Sequence, residues 1–506
     1  MLKAKLHFKL LASALGIFAC CAAVLTAKQS VFAANGTPES AYASEMRGMT
    51  AFEITKDMKA GWNLGNSLES DYNETYWGNP TITKEMIDAI AAKGFKTIRI
   101  PVRWDDNYSD PSTYTVSETY MNRVEEVVNY ALSNDMYVII NVHHNDLQTK
   151  ISYDRQEIEK IKEELKALWK QIAERFREYG DRLIFEVNNE PRSGEDWTGN
   201  SDYYNYINEC NEAARAAIRA VGGNNSRRLV SLPTYCASPN FDKVNGWKKL
   251  EEKDDMIAVS VHAYLPWDFA YEADGHANWT DNDRALLQPV FDRLNTVFIQ
   301  NNIPVYIGEF GTTDKDNLSE RETYAYVFAQ MANNYGIPAL WWDNYCFGKG
   351  GEHFGIFNRN NLTFTGEIAD RIISAYETSS DPSVLFSGSA TASNWEQAVN
   401  VATTRQGGSF DPALLLPEGY FYVEYSEDHK KLDFILQDLS RGDDGWISVP
   451  SFENGYANGH YYAKYRYSDC VSAFGTDQFA SNLDKIYVCA KDGNISVYDI
   501  RYCYWK

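Results

Sequence analysis

From residue 60 to residue 376, short runs of apolar and β-branched residues alternate with longer stretches in which apolar residues recur at helical spacing. Eight such runs can be counted, at 61–65, 97–102, 137–144, 183–190, 228–233, 257–265, 304–310 and 338–343. Between them, Val124, Val127, Val128 and Ala131 fall at i, i+3, i+4 and i+7 after Ser117. Met86, Ile87, Ile90 and Ala91 share one helical face after Thr83, and Gly94 offers a stop signal. Eight strands alternating with helices predict a (β/α)8 barrel, the TIM barrel. An open dinucleotide-binding sheet fits less well, because no G-x-G-x-x-G or P-loop follows the first strand.

The pattern changes near residue 380. Residues 378–394 are rich in Ser, Thr, Ala, Gly and Pro, and beyond them come strand-like runs such as Tyr420-Phe421-Tyr422-Val423-Glu424-Tyr425, Phe434-Ile435-Leu436, Trp446-Ile447-Ser448-Val449 and Lys485-Ile486-Tyr487-Val488. A linker at 379–394 and a smaller all-β sandwich at 395–506 are expected after a barrel at 51–378. At the other end, Lys3, Lys5 and Lys9 precede an apolar run at 10–27 and then Val31-Phe32-Ala33. This order predicts a secretory signal peptide at 1–34, followed by a polar lead-in at 35–50. The run is short for a membrane span, so a secreted, extracellular protein with no membrane attachment after cleavage is expected.

The 48 basic residues against 70 acidic ones give a charge of −22. Such a surface repels nucleic acid and other polyanions and leaves a neutral or cationic partner favoured. The 44% apolar and 14% aromatic content excludes a disordered chain. Of the eight cysteines, Cys20 and Cys21 fall in the signal. The others are scattered with no C-x-x-C, so no metal or redox motif emerges. Cys470, Cys489 and Cys503 could supply one disulfide, and the redox state stays open.

Reactive groups of a barrel sit at the C-terminal ends of its strands. Polar residues gather there: Arg99 on the second strand, His143 and His144 on the third, Asn189 and Glu190 on the fourth, His262 and Tyr264 on the sixth, Glu309 on the seventh, Trp342 and Asp343 on the eighth. Glu190 and Glu309 each end an apolar run, on strands that face each other across an eight-stranded barrel. Two converging carboxyls suit glycoside hydrolysis, one donating a proton to the leaving oxygen and the other attacking or activating water at the anomeric carbon.

The motifs Asn189-Glu190-Pro191, Gly308-Glu309-Phe310-Gly311, Arg99-Ile100-Pro101-Val102, Asn141-Val142-His143-His144 and Val261-His262-Ala263-Tyr264 resemble glycoside hydrolase family 5, the cellulase family, over roughly residues 45 to 376. Trp62-Asn63-Leu64-Gly65-Asn66 and Trp77-Gly78-Asn79-Pro80 are similar to its bacterial endoglucanase and xyloglucanase subgroup. The resemblance implies a retaining endo-β-1,4-glucanase that needs no cofactor or metal, with Glu190 as general acid/base and Glu309 as nucleophile. It also implies that Asn189 bonds the sugar 2-hydroxyl, that Arg99 and Tyr264 hold Glu309 ionised and oriented, and that Trp342 is the sugar floor. His143 and His262 would bind substrate or orient the pair, and Asn66 and Trp77 would add contacts. Glu186 reads as a barrel-interior partner, for instance of Arg99. His144, pointing away from His143 by strand parity, ranks below it.

Trp62, Trp77, Trp104, Tyr235, Trp267 and Trp341 are candidates for stacking on a glucan, and Trp395 and Trp446 for glycan contacts in the C-terminal part, a possible carbohydrate-binding module. The expected partner is a β-1,4-linked glucan, met by a monomer. Xyloglucanase, xylanase or mannanase activity with the same pair is the alternative, since loop shape decides the backbone cleaved. Two further readings are a non-catalytic glycan-binding protein and a metallohydrolase using His143, His144, His262 and Glu309. The latter lacks H-x-H or H-E-x-x-H spacing.

Overall fold

The computed structural model describes residues 44–144, 149–248, 253–377, 383–412, 415, 419–457, 459–476 and 479–504. The signal segment, most of the lead-in and residues 379–382 of the expected linker lie outside them.

Eight parallel strands close into a barrel: β1 (Ala60–Leu64), β2 (Thr97–Ile100), β3 (Tyr137–Asn141), β4 (Leu183–Glu186), β5 (Val230–Pro233), β6 (Ile257–His262), β7 (Val305–Phe310) and β8 (Ala339–Asp343). The ring closes where β8 pairs with β1, placing Asn63 beside Trp342, while β1 and β2 place Asn63 beside Arg99. The main helices are α1 (Ala51–Met58), α2 (Lys84–Lys93), α3 (Glu118–Leu132), α4 (Arg155–Arg175), α5 (Ser201–Val221), α6 (Phe241–Gly246), α7 (Asp281–Val297), α8 (Leu318–Asn334) and α9 (Ile368–Glu377). Their starts follow local rules. Thr50 and Glu53 form a capping box at α1, Thr280 and Asp283 another at α7, and the Ser117 side chain caps α3. Gly94 ends α2 at φ 123°, a conformation that glycine adopts without steric cost. The apolar faces of α2–α9 and the outward residues of the strands form one core, while α1 packs Ala51, Ile54 and Met58 against inward strand residues such as Ile139, Ile184 and Leu340.

The C-terminal part is all-β apart from two short helices. A five-stranded sheet runs in the order β9 (Ser383–Ala392), β17 (Ile495–Tyr504), β11 (Gly419–Tyr425), β15 (His460–Arg466), β14 (Glu453–Ala457). A four-stranded sheet runs β10 (Gln397–Ala402), β16 (Lys485–Ala490), β12 (Leu432–Gln437), β13 (Trp446–Val449). Both are antiparallel and share a second apolar core. Inward and outward positions alternate along β11, which buries Phe421, Val423 and Tyr425.

One expectation is corrected here. Residues 383–392, taken as linker from their small polar composition, form the ten-residue edge strand β9. It is held by backbone pairing to β17, a register that does not depend on large side chains. The two short helices α10 (Tyr467–Phe474) and α11 (Phe479–Asn482) face the barrel. The Tyr467 hydroxyl donates to Asp281 Oδ1 at 3.0 Å, the Ala480 N–H donates to Asp281 Oδ2 at 3.4 Å, and Arg284 donates to the Leu415 carbonyl. The sandwich therefore meets the first turn of α7. All six cysteines among the described residues are free thiols.

Candidate active site

At the C-terminal end of the barrel lies a cleft of about 780 Å³. Asn66, Trp77, His143, His144, Asn189, Glu190, His262, Tyr264, Glu309 and Trp342 line it. Arg99 lies beneath them, fully buried. The structure thus brings all the nominated site residues to one end of the barrel.

Below the cleft, inward positions of neighbouring strands carry polar groups where a barrel interior is commonly aliphatic. Arg99 is the hub. Its Nη1 donates to Glu309 Oε1 at 2.7 Å and to Asn63 Oδ1 at 3.0 Å, and its Nη2 donates to Glu186 Oε1 and to Asn189 Oδ1, each at 2.7 Å. Glu186, also fully buried, accepts further from Asn141 Nδ2 at 3.0 Å, Ser260 Oγ at 3.1 Å and the Tyr306 hydroxyl at 2.7 Å. Burial alone would favour the protonated acid, but the adjacent guanidinium outweighs it and Glu186 is held below the usual carboxylate range. Arg99 is also desolvated, yet Glu186 and Glu309 raise its proton affinity further. Glu186 is therefore the buried counter-ion of Arg99, as its position on the strand suggested.

Glu309 is 6% exposed and gripped from two sides, with Tyr264 donating its hydroxyl to Oε2 at 2.7 Å opposite the Arg99 bond. Burial and the Glu309 charge hold Tyr264 well above its usual pKa, so it remains a donor. Glu190 pairs with His262 instead: Nδ1 lies 2.8 Å from Glu190 Oε1 and 3.5 Å from Glu309 Oε2. Burial works against the imidazolium, but the two carboxylates win and raise His262 above 6.5. The same contact, against the opposing effect of burial, lowers Glu190 below 4.5. The two groups share a proton and titrate as a pair. One ligand-competent atom from each of Glu190, His262 and Glu309 lies within 4.8 Å of the others. The two carboxyls thus approach one another closely across the cleft, as the pair of a retaining glycosidase, about 5 to 5.5 Å apart, must do.

His143 lies parallel to Trp342, with ring centroids 6.0 Å apart and planes 4° apart. Its Nδ1 is 3.1 Å from Asn141 Nδ2, so the ring nitrogen accepts. Burial first, then His144 and Arg99, keep it neutral. His144 corrects the strand-parity argument. Strand β3 stops at Asn141 and His144 has φ 49°, so its ring turns back to within 4.4 Å of His143 and also lines the cleft. The ligand set imagined for a metallohydrolase is not the group that converges. Among the described residues that group is Glu190, His262 and Glu309, and both oxygens of Glu309 already accept from Arg99 and Tyr264.

Of the proposed stacking aromatics, Trp62, Trp104, Trp341 and Tyr235 are buried at 2% exposure or less and belong to the core. Trp77 and Trp267 do line the cleft. Trp267 is stacked on Tyr271 at 4.3 Å, and Trp197 carries Arg192 over its ring at 4.3 Å. Trp197 and Tyr271 were missed because they lie in loops after β4 and β6, where no periodic pattern marks a side chain as cleft-facing.

The cellulase model of glycosyl hydrolase family 5 matches residues 60–348. The chain belongs to glycoside hydrolase family 5. It is 42% identical over 330 residues to endoglucanase B of Clostridium cellulovorans, covering 63% of this chain and 74% of that one. It is 40% identical to endoglucanase A of Ruminococcus albus, covering 67% and 96%. Among solved structures, the GH5-4 broad specificity endoglucanase from Clostridium cellulovorans is 46% identical, with a TM-score of 0.64 over 67% of this chain and 99% of that one. Residues 386–500 match carbohydrate binding module 65 domain 1. The enzyme is thus a retaining glycoside hydrolase of the endoglucanase kind, with a carbohydrate-binding module behind its barrel.

Proposed function

We propose that this endo-β-1,4-glucanase is secreted and works by double displacement, with Glu309 as nucleophile and Glu190 as general acid/base. The observation that carries the assignment is the asymmetry of the pair: Glu309 is fixed by Arg99 and Tyr264, whereas Glu190 lies 2.8 Å from the titratable His262 ring. A nucleophile must be oriented and unprotonated, and an acid/base must trade a proton. In the first step a Glu309 oxygen bonds to the anomeric carbon while the glycosidic bond breaks and Glu190 protonates the leaving oxygen. In the second, Glu190 takes a proton from water, whose oxygen attacks the same carbon and releases Glu309. Asn189, held by Arg99, is placed to bond the sugar 2-hydroxyl, and Trp342 to carry the sugar ring.

The substrates are taken to be β-1,4-glucans of several kinds. The 46% identical structure is named a broad specificity endoglucanase, while a 33% identical one is named xyloglucan-specific. Export is supported by the basic-apolar-small order of the N-terminus. In the module, Trp446 is 45% exposed and stacked on Tyr487 at 4.8 Å, with the Tyr487 hydroxyl donating to Gln437. An exposed flat ring suits a sugar face, so this side of the four-stranded sheet is the proposed glycan platform. Trp395, 71% exposed, is a second exposed ring of the module.

The test is product stereochemistry and rate on carboxymethylcellulose, barley β-glucan, xyloglucan, xylan and mannan. First-formed product of retained anomeric configuration, from the glucans and abolished in Glu309→Ala, supports the reading. Inverted product or silence on all five overturns it. Amino-terminal sequencing of protein recovered from culture medium tests export and cleavage after Ala33 or Ala34.

A further inference from the structure

The turn that follows β1 is the least expected part of the cleft wall. Asn66, which lines the cleft, has φ 58°. Beside it, Gly65 lies so close to the Trp342 ring that a Cβ there would meet the indole at 3.0 Å and the Asp343 carbonyl at 2.9 Å. The ring proposed as sugar floor therefore rests directly on this turn.

Two fully buried charged side chains hold the turn from behind, and neither reaches the cleft. Glu69 accepts the Ser67 N–H at 2.8 Å and, more closely still, the Asn66 N–H. Arg359 Nη1 donates to the Gly65 carbonyl at 3.0 Å, Ser67 Oγ at 2.8 Å and Asn79 Oδ1 at 2.6 Å, and its Nη2 donates to the Asp343 carbonyl at 2.7 Å. Asn79 in turn donates to the Asn66 carbonyl at 2.7 Å. The backbone groups of Gly65 and Asn66 and the strand end that carries Trp342 are thus tied to one guanidinium and one carboxylate.

This arrangement is costly for the fold. Burial pushes the Glu69 carboxyl up to about 7, with the backbone N–H groups and Arg359 only partly offsetting it. A buried charge retained at such a cost, among groups that do no chemistry, calls for a reason other than stability. The cleft supplies one. Arg359 reinforces the junction of β1 and β8, where the Gly65 N–H also donates to the Asp343 carbonyl at 3.0 Å, because the same guanidinium bonds the turn after β1 and the end of β8.

We propose that Glu69 and Arg359 are positioning residues, which hold Asn66 and the Trp342 ring at the spacing that receives the sugar. The proposal rests on the cleft being the glucan site, as argued above. They act on how tightly sugar is seated rather than on proton transfer, since the Arg99, Glu186 and Tyr264 contacts that orient Glu309 are separate from them.

The test compares Glu69→Gln, Arg359→Met and Arg359→Lys with the parent in steady-state hydrolysis of cellotetraose, alongside direct calorimetric binding of cellotetraose in a Glu190→Gln background. Expected for Glu69→Gln and Arg359→Met is a KM raised about tenfold with kcat within about threefold, and a Kd weakened in parallel. Arg359→Lys should recover part of the loss, because one ammonium replaces part of the guanidinium's reach. Unchanged KM and Kd in folded variants would overturn the proposal, as would a fall in kcat with KM unchanged. Thermal unfolding of each variant separates collapse from mispositioning, and Arg359→Lys that restores Tm with no recovery of KM or Kd would count against the proposal. The binding arm needs no turnover. A failure of the Glu190 and Glu309 assignment would show instead as activity surviving in Glu190→Gln.

Discussion

In the barrel cleft, Arg99 and Glu186 are wholly removed from solvent and Glu309 is 6% exposed, whereas on the four-stranded sheet of the sandwich Trp446 stands 45% exposed over Tyr487. Both surfaces are built for the same kind of polymer. The cleft must change the charge of particular atoms, so it spends burial on ionisable groups whose partners lie within 2.7 Å. The proposed platform has only to hold a sugar face, so it offers an aromatic plane and leaves it wet. Removing one group from the first breaks a network, and removing one from the second weakens an additive contact.

The largest expected effect is in the cleft. Glu309→Ala should lower kcat on β-glucan by roughly 10⁴-fold or more, because a covalent step is lost rather than slowed. Measured reducing-sugar release on purified protein checks it, and a loss under about tenfold would erase the distinction drawn between the two surfaces. Next comes Glu186→Ala, which leaves the Arg99 charge buried without its main counter-ion. Stability should fall by about 3–5 kcal/mol, read from urea unfolding of the barrel.

The third effect is a pH dependence. The His262 and Glu190 pair keeps its shared proton until pH rises past the elevated His262 value, above 6.5. The alkaline limb of kcat/KM should therefore lie above that value, with activity falling about tenfold per unit once that proton is lost. In His262→Gln the proton depends on Glu190 alone, so the alkaline limb should move toward acid. A limb that stays put would detach His262 from the proton inventory. Smallest is Trp446→Ala, which should weaken adsorption to insoluble glucan by roughly tenfold and leave kcat on cellotetraose within about twofold. A fall in turnover on that short substrate would mean that platform and cleft are coupled, through the contact of Tyr467 with Asp281.

Much of the barrel was legible because its signals are local. Apolar strand runs recur eight times with helical periods between them, and each carboxyl ends such a run. Glu186 was legible too, since an acid at an inward strand position needs a cation and Arg99, two strands away in the ring, supplies it. The errors came where local rules stop applying. His144 lies past the end of β3 in a left-handed conformation, so alternation no longer says where it points. Residues 383–392 looked like linker because β9 is held by backbone pairing with a strand more than a hundred residues away. From the sequence Trp77 is the favoured stacking candidate because its Gly/Asn/Pro surroundings mark a loop, and it lines the cleft while Trp62 and Trp341 are core.

The sequence by itself determined the elements, the identity of the two carboxyls and the chemistry they can share, because these depend on residue type and short-range pattern. Only the tertiary structure decided which aromatics meet solvent and that Glu69 and Arg359 stand behind Asn66. Those facts depend on distances between strands and loops far apart along the chain. Burial and hydrogen bonding are properties of the closed barrel, and no stretch of sequence carries them alone.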